Sequence, residues 1–181
     1  MRRYSIIPAV LFLAACQGGG SLAVRDATGV DRFTRFQGAS LVLNHDLSIA
    51  AGKARVFLQN GEVSGGFDSY RTHCAFEIDS VRHDGKTIQA GTFTISRVQG
   101  SIQPVVTRGL LQVASLQLFA GLDGAGSQSF YEGYHFWLTS VDQPEVRRLS
   151  CFGVYAEPQD LYPPTVEEIR QALGSIAVIQ Q

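Results

Sequence analysis

The sequence predicts a mainly β protein, which is a single antiparallel β-sandwich or partly closed barrel of seven to eight strands with a short C-terminal helix. Apolar and polar residues alternate with a period of two over most of the chain, as in half-buried strands. Turn-forming pairs such as Asn60-Gly61 separate the alternating segments. One segment near the C-terminus, 165–173, has helical spacing instead. Because no internal repeat or second domain is evident, we expect one globular domain over 28–181.

The strands follow from the alternation, segment by segment. In the first segment Leu41, His45 and Ile49 share one parity, which predicts one continuous strand. The predicted strands are 39–49, 53–60, 70–78, 91–98, 131–141 and 146–156, with one long or two short strands within 105–119. Turns are predicted at 83–86, 123–126 and 142–145.

The helix has a start signal and a stop signal. Thr165 can cap its N-terminus, and Glu168 three residues later completes a capping box. Val166, Ile169 and Leu173 then lie on one face, and a glycine follows the last of them. A helix this short is marginal alone, so we expect it to dock on the β domain. It is either a structural lid on one end of the barrel or a surface helix that binds a partner.

Charge and composition exclude some classes of function. The formal net charge is −1, so a basic surface for nucleic acid is not expected. Only Lys53 and Lys86 are lysines among the 15 basic residues. Arginine-based recognition of carbohydrate or phosphate is an alternative that the sequence does not support, because the arginines do not cluster along it.

The N-terminal segment has the layout of an export signal. Arg2 and Arg3 precede a short apolar run that is below the length of about 20 residues needed to span a bilayer. The block Leu13-Ala14-Ala15-Cys16 at its end resembles the lipobox of bacterial lipoproteins. The resemblance implies cleavage after 1–15, lipid attachment at Cys16 and anchoring in a membrane by more than one acyl chain. The alternative is an ordinary secretory signal with a chance cysteine.

The residues after Cys16 predict where the anchored protein resides. Gln17 stands where an aspartate is the usual inner-membrane retention signal, so the resemblance implies the outer membrane, with the domain on the periplasmic face. Residues 16–27 are expected to form a flexible tether, because 18–20 are all glycine.

Two cysteines are left once Cys16 is lipidated. Cys74 and Cys151 both lie in apolar alternating segments, and an exported chain meets an oxidising compartment. We therefore expect a Cys74–Cys151 disulfide, with a reactive thiol or a metal ligand as the alternatives.

Catalytic and cofactor motifs do not emerge from the sequence. Neither GxSxG nor HExxH occurs, and the calcium-like and dinucleotide-like stretch 121–133 has the wrong residues at key positions. We accordingly assign no catalytic, cofactor or metal residue. A metal pair of His73 and His135 across a sheet, and an acid–base pair built on Glu77 or Asp79, are weaker alternatives.

Trp137, His73 and His135 form the candidate face for a partner or ligand. Trp137 lies on the parity opposite to Phe136, which we place in the core. Three function classes stay open: a non-catalytic envelope lipoprotein that binds or scaffolds an envelope protein, a small apolar-ligand carrier with its ligand inside a β-barrel, and a hydrolase with an unrecognised site.

Overall fold

The computed structural model describes residues 23–25, 33–105 and 130–181. Several sequence expectations lie outside these residues. They are the signal peptide, the lipidated Cys16, Gln17 and most of the tether 16–27, most of the predicted strand region 105–119, and the turn at 123–126.

Twelve strands and one helix are present in the described residues. In chain order they are β1 (Val24–Arg25), β2 (Phe33–Thr34), β3 (Ser40–Leu43), β4 (Leu47–Ile49), β5 (Arg55–Gln59), β6 (Glu62–Ser64), β7 (His73–Ile78), β8 (Lys86–Ile88), β9 (Gly91–Pro104), β10 (Phe130–Thr139), β11 (Val146–Phe152), α1 (Val166–Leu173) and β12 (Ala177–Gln180).

Eight of the strands form one antiparallel sheet in the order β12-β3-β9-β10-β11-β7-β5-β6. The sheet curls into a half-barrel, which confirms the predicted fold class in its partly closed form. Two small sheets accompany it, one of β1 and β2 and one of β4 and β8. Asn60 and Gly61 join β5 to β6 with φ values of 53° and 75°, as a two-residue hairpin with both central residues left-handed requires.

The core lies on one face of the curled sheet, which we call the core face. Phe76, Phe93 and Phe136 come from three different strands, and each of them is fully buried there. The helix α1 covers part of this face and contributes Ile169 and Leu173 to the same cluster. Among the described residues, buried side chains of the sheet and of α1 therefore pack together on the core face.

The helix prediction is confirmed at both ends. Thr165 accepts a hydrogen bond from the backbone N–H of Glu168, and the Glu168 carboxylate accepts one from the backbone N–H of Thr165. Gly174 follows the last helical residue with φ 55° and packs against Gly61, where a Cβ would lie 2.4 Å from the Gly61 Cα. The expectation that the helix docks is also confirmed, because its apolar face is buried.

Cys74 and Cys151 form the expected disulfide. They lie directly opposite each other on β7 and β11, with their Cα atoms 4.0 Å apart. Both are fully buried on the core face. The bond therefore joins two neighbouring central strands that are 77 positions apart in the sequence.

One predicted strand is wrong, and two others are present with different bounds. Segment 39–49 is two strands, β3 and β4, and His45 lies in an exposed turn between them. This turn is held by tertiary hydrogen bonds, since Asn44 donates to the Ser175 carbonyl and Asp46 accepts from the Ala90 N–H.

The predicted strand 70–78 begins only at His73, because the preceding loop forms hydrogen bonds with the Gln59 side chain. Strand 91–98 is longer than predicted and continues as β9 to residue 104.

Both ends of the described chain also join the fold. β12 pairs with β3 as an edge strand that the sequence reading missed. Val24, from the segment expected to be tether, lies in β1 and is fully buried in the core. Among the described residues, no helix has the length and apolar character needed to cross a membrane.

Candidate functional site on the second face of the sheet

The face opposite to the core face, which we call the second face, gathers the chemically distinctive side chains. Its residues alternate with core residues along five neighbouring strands. They are Arg55, Phe57, His73, Ala75, Glu77, Arg97, Gln99, Tyr131, His135, Trp137, Arg148, Ser150 and Phe152. Sequence reasoning favours a solvated face around Glu77, but Glu77, His135 and Ser150 are all at least nine-tenths buried.

A hydrogen-bonded network crosses three strands of this face. His135 Nδ1 on β10 lies 2.7 Å from the Ser150 Oγ on β11, which lies 2.6 Å from the Glu77 Oε1 on β7. The other carboxylate oxygen of Glu77 accepts from the Nε and Nη2 of Arg148, at 3.1 and 2.9 Å. Each member of the network therefore provides a hydrogen-bond partner for a buried polar group of its neighbour.

The protons in this network can be placed from the donor inventory. An ionised carboxylate only accepts, so the Ser150 hydroxyl gives its one proton to Glu77. The Ser150 oxygen then accepts, which makes the His135 Nδ1 a donor. Burial, and next the nearby Arg148 charge, lower the pKa of His135 to about 4, so its ring is neutral at pH 7. Burial opposes ionisation of Glu77, but the bonds from Ser150 and Arg148 outweigh it and lower its pKa.

This network does not present a nucleophile. A catalytic serine gives its proton to a base, and here Ser150 gives it to a carboxylate whose basicity Arg148 reduces. Ser150 is also 2% exposed, so a substrate carbonyl has no access to it. Glu77 and Asp79 do not form an acid–base pair either, because Asp79 lies exposed beyond the end of β7 and accepts from the Ser80 hydroxyl.

An aromatic cavity of about 330 Å³ lies beside the network on the same face. Phe67 stacks on the His73 ring with the ring centroids 3.7 Å apart, and Tyr131 meets both rings edge-on. The described residues that line the cavity are Arg55, Phe57, Phe67, Ser69, His73, Gln103, Pro104, Val105, Tyr131 and Phe152. Burial lowers the pKa of His73 to about 4, so Arg55 is the cationic group of the lining at neutral pH.

Gln59 holds the loop that forms one wall of this cavity. Its Nε2 donates to the backbone carbonyls of Asp68 and Arg71 at 2.9 and 3.2 Å, and its Oε1 accepts from the Asp68 N–H at 2.9 Å. These bonds tie the loop to the end of β5, so that Phe67 lies over His73.

Trp137 lies two residues beyond His135 on β10 and is partly buried. Its Nε1 donates to the Gln99 Oε1 at 3.1 Å. The guanidinium groups of Arg97, Arg147 and Arg148 lie 5.0, 5.1 and 5.4 Å from the centre of its ring.

The three residues predicted for the binding face therefore share one face but belong to three different parts of it. His73 lines the aromatic cavity, His135 belongs to the buried network, and Trp137 lies in an arginine-rich region. His73 and His135 both contact the Phe152 ring from strands two positions apart in the sheet, a spacing of roughly 10 Å that prevents a metal pair. Among the described residues, His, Cys, Asp and Glu form no group of three that could hold a metal ion.

Sequence reasoning missed Ser150, Arg148 and Phe67. Strand parity could have placed Ser150 and Arg148 on the face of Glu77 if the pairing of β7 with β11 were known, but no sequence signal located the Phe67 loop. Comparison of the chain with protein-family models, curated proteins and solved structures found no match.

Proposed function

We propose that this chain is an exported, lipid-anchored protein of the outer membrane that faces the periplasm and binds another envelope protein without catalysing a reaction. The block Leu13–Cys16 supports the anchor, and Gln17 supports the outer membrane. The Cys74–Cys151 disulfide agrees with an oxidising compartment such as the periplasm.

The aromatic cavity is the observation on which the binding role rests. Its volume of about 330 Å³ is near the lower end of the range for small-molecule pockets, and the aromatic rings that line it can pack against an aromatic side chain of a partner. Buried aromatic anchors contribute most of the binding energy in many protein interfaces. Arg55 at the cavity can pair with an acidic residue next to such an anchor.

The same cavity favours a second candidate, a carrier of a small apolar ligand. Such a ligand would lie on the second face and not inside the curled sheet, because buried side chains of the described sheet and of α1 pack together on the core face. Native mass spectrometry of the gently extracted protein tests this candidate, since a bound small molecule adds a discrete mass that Tyr131→Asp removes.

Photocrosslinking in cells tests the envelope-partner proposal. Tyr70 is 73% exposed, and its ring contacts Tyr155, which contacts Tyr131 at the cavity, so a photoreactive residue there lies beside the site. We expect one discrete protein adduct, which Phe67→Ala weakens because it removes a cavity wall. Val141, 97% exposed in the turn after β10, is the matched control position and should give no such adduct. Equal adducts at both positions, or none at Tyr70, would contradict the proposal.

Lipid labelling and fractionation test the anchor. Cys16→Ala should abolish incorporation of labelled fatty acid and leave an uncleaved precursor, whereas persistent labelling would contradict the assignment. Gln17→Asp should move the labelled protein towards the inner membrane, and unchanged fractionation would mean that another signal directs sorting.

A further inference from the structure

Three arginines converge on the single tryptophan of the chain. The guanidinium carbons of Arg97, Arg147 and Arg148 lie within 5.4 Å of the centre of the Trp137 ring. Arg97 and Arg147 are exposed, and Arg148 is partly buried. We call these four residues the arginine–tryptophan cluster. Its members come from three adjacent strands, β9, β10 and β11, so the sheet itself positions them.

Two irregularities in the sheet adjoin this cluster. The pairing of β10 with β9 shifts between Trp137 and Leu138, where Ser96 is the extra residue and its hydroxyl donates to the Trp137 carbonyl. The pairing of β11 with β7 shifts between Val146 and Arg148, where Arg147 is the extra residue. β-bulges redirect side chains and are over-represented beside functional sites. The second bulge explains how two consecutive residues of β11 both reach Trp137.

The arginine–tryptophan cluster has an excess of positive charge, because the described carboxylates around it neutralise only one of its three arginines. Glu77 accepts two hydrogen bonds from Arg148. Arg97 donates to the neutral Gln99 side chain at 3.3 Å, and within 33–105 and 130–181 neither Arg97 nor Arg147 forms an ion pair with a carboxylate. Two like charges beside one ring repel each other, and the ring face offsets only part of that repulsion.

We propose that Arg97 and Arg147 bind a dianionic phosphate group at the exposed edge of the arginine–tryptophan cluster. Two guanidinium groups that no described carboxylate compensates match the charge of a phosphate monoester or of inorganic phosphate, and each planar fork can donate two parallel hydrogen bonds to phosphate oxygens. Arg148 stays committed to Glu77 and adds its field without leaving its partner. The Trp137 ring offers an apolar surface to whatever the phosphate is attached to.

This proposal is independent of the envelope-partner proposal, because the arginine–tryptophan cluster shares no residue with the lining of the aromatic cavity. Either proposal can fail while the other stands.

Tryptophan fluorescence provides a direct assay, because Trp137 is the only tryptophan in the chain. The full chain, purified in a nonionic detergent, is titrated at pH 8 with inorganic phosphate and with dihexanoyl phosphatidate, a soluble lipid with the same headgroup. We expect a saturable change in emission with at least one probe. Saturation with both probes, or with inorganic phosphate alone, identifies free phosphate as a sufficient ligand, and saturation with the lipid alone identifies a lipid headgroup. No saturable change, or the same change with sodium chloride at equal ionic strength, would overturn the proposal.

Variants then assign the binding to the two arginines. Arg97→Gln combined with Arg147→Gln should weaken phosphate binding at least tenfold by isothermal titration calorimetry. Arg170→Gln removes an exposed arginine from α1 and is the matched control, which should bind like the unmodified chain. The double variant Arg97→Lys and Arg147→Lys keeps both positive charges and should retain part of the affinity for phosphate. Circular dichroism of every variant checks that it is folded. Unchanged affinity in the folded glutamine pair would contradict the assignment.

Discussion

Ser150 connects the buried network of the second face, because its hydroxyl joins His135 to Glu77. Ser150→Ala leaves both neighbours short of a buried hydrogen bond, so we expect the free energy of unfolding to fall by about 1–3 kcal/mol. Urea denaturation at pH 7 measures this change. Ser48→Ala removes an exposed hydroxyl from β4 and is the control. Equal stability of the two variants would show that the hydrogen bonds of Ser150 do not contribute to the free energy of unfolding.

Two buried histidines make stability depend on pH. Burial is the main cause that lowers the pKa values of His73 and His135 to about 4, while an imidazole in the unfolded chain has a pKa near 6.5. Between pH 6.5 and 4 the unfolded chain therefore binds protons that the folded chain does not. The free energy of unfolding falls as the pH falls through this window, by at most about 1.4 kcal/mol per pH unit for each histidine.

Replacing one of these histidines should flatten the pH dependence. His73→Phe keeps an aromatic ring against Phe67 and removes one titrating group. We expect its loss of stability between pH 6.5 and 5, measured by urea denaturation, to be smaller than that of the unmodified chain. Measurement at pH 8, where the imidazole is neutral in both states, separates packing effects from titration. An identical loss in both proteins would mean that the pKa of His73 is the same in the folded and the unfolded chain.

At the scale of elements, the contribution of the capping box to the stability of α1 can be measured separately from the packing of its apolar face. Thr165→Ala removes the side-chain acceptor at the N-terminus of the helix, and we expect the free energy of unfolding to fall by about 1 kcal/mol. Gln171→Ala changes an exposed position in the same helix and should have little effect. Chemical denaturation compares the two variants. If Thr165→Ala is as stable as the control, packing of the apolar face alone holds the helix.

Elements differed in how well local patterns predicted them. The capping box and the turn at Asn60-Gly61 act within a few residues, so both were predicted correctly, whereas the strand β6 after the turn was not predicted. The turn at His45 was missed because its bonds come from Ser175 and Ala90, which are distant in the sequence. Parity alone favoured a continuous strand there.

At the scale of the whole molecule, the Cys74–Cys151 disulfide joins two central strands. Replacing both cysteines by alanine should lower the free energy of unfolding by about 2–5 kcal/mol, because the unfolded chain loses a long-range constraint. The strand content by circular dichroism should be retained. Mass spectrometry after alkylation without reduction is the direct check on the exported protein. Alkylation of both thiols would contradict the bond and restore the reactive-cysteine alternative.

Local patterns were enough to predict the fold class and the helix from the sequence, and the two disulfide partners followed from counting cysteines once Cys16 was assigned to lipidation. Alternation with period two identifies half-buried strands, and a capping box identifies a helix start, without knowledge of which strands are neighbours. His73, His135 and Trp137 could likewise be singled out by residue type and parity.

Only the tertiary structure decided which of these side chains act together. Arg148 reaches Glu77 across 71 positions, and Ser150 reaches it across 73, because β11 pairs with β7 in one register. The convergence of Arg97 and Arg147 on Trp137 depends on two bulges that no local pattern marks. The register between distant strands is set by the packing of the whole core. The sequence alone therefore determined which side chains lie on each face of a strand, and the tertiary structure determined which side chains of other strands they contact.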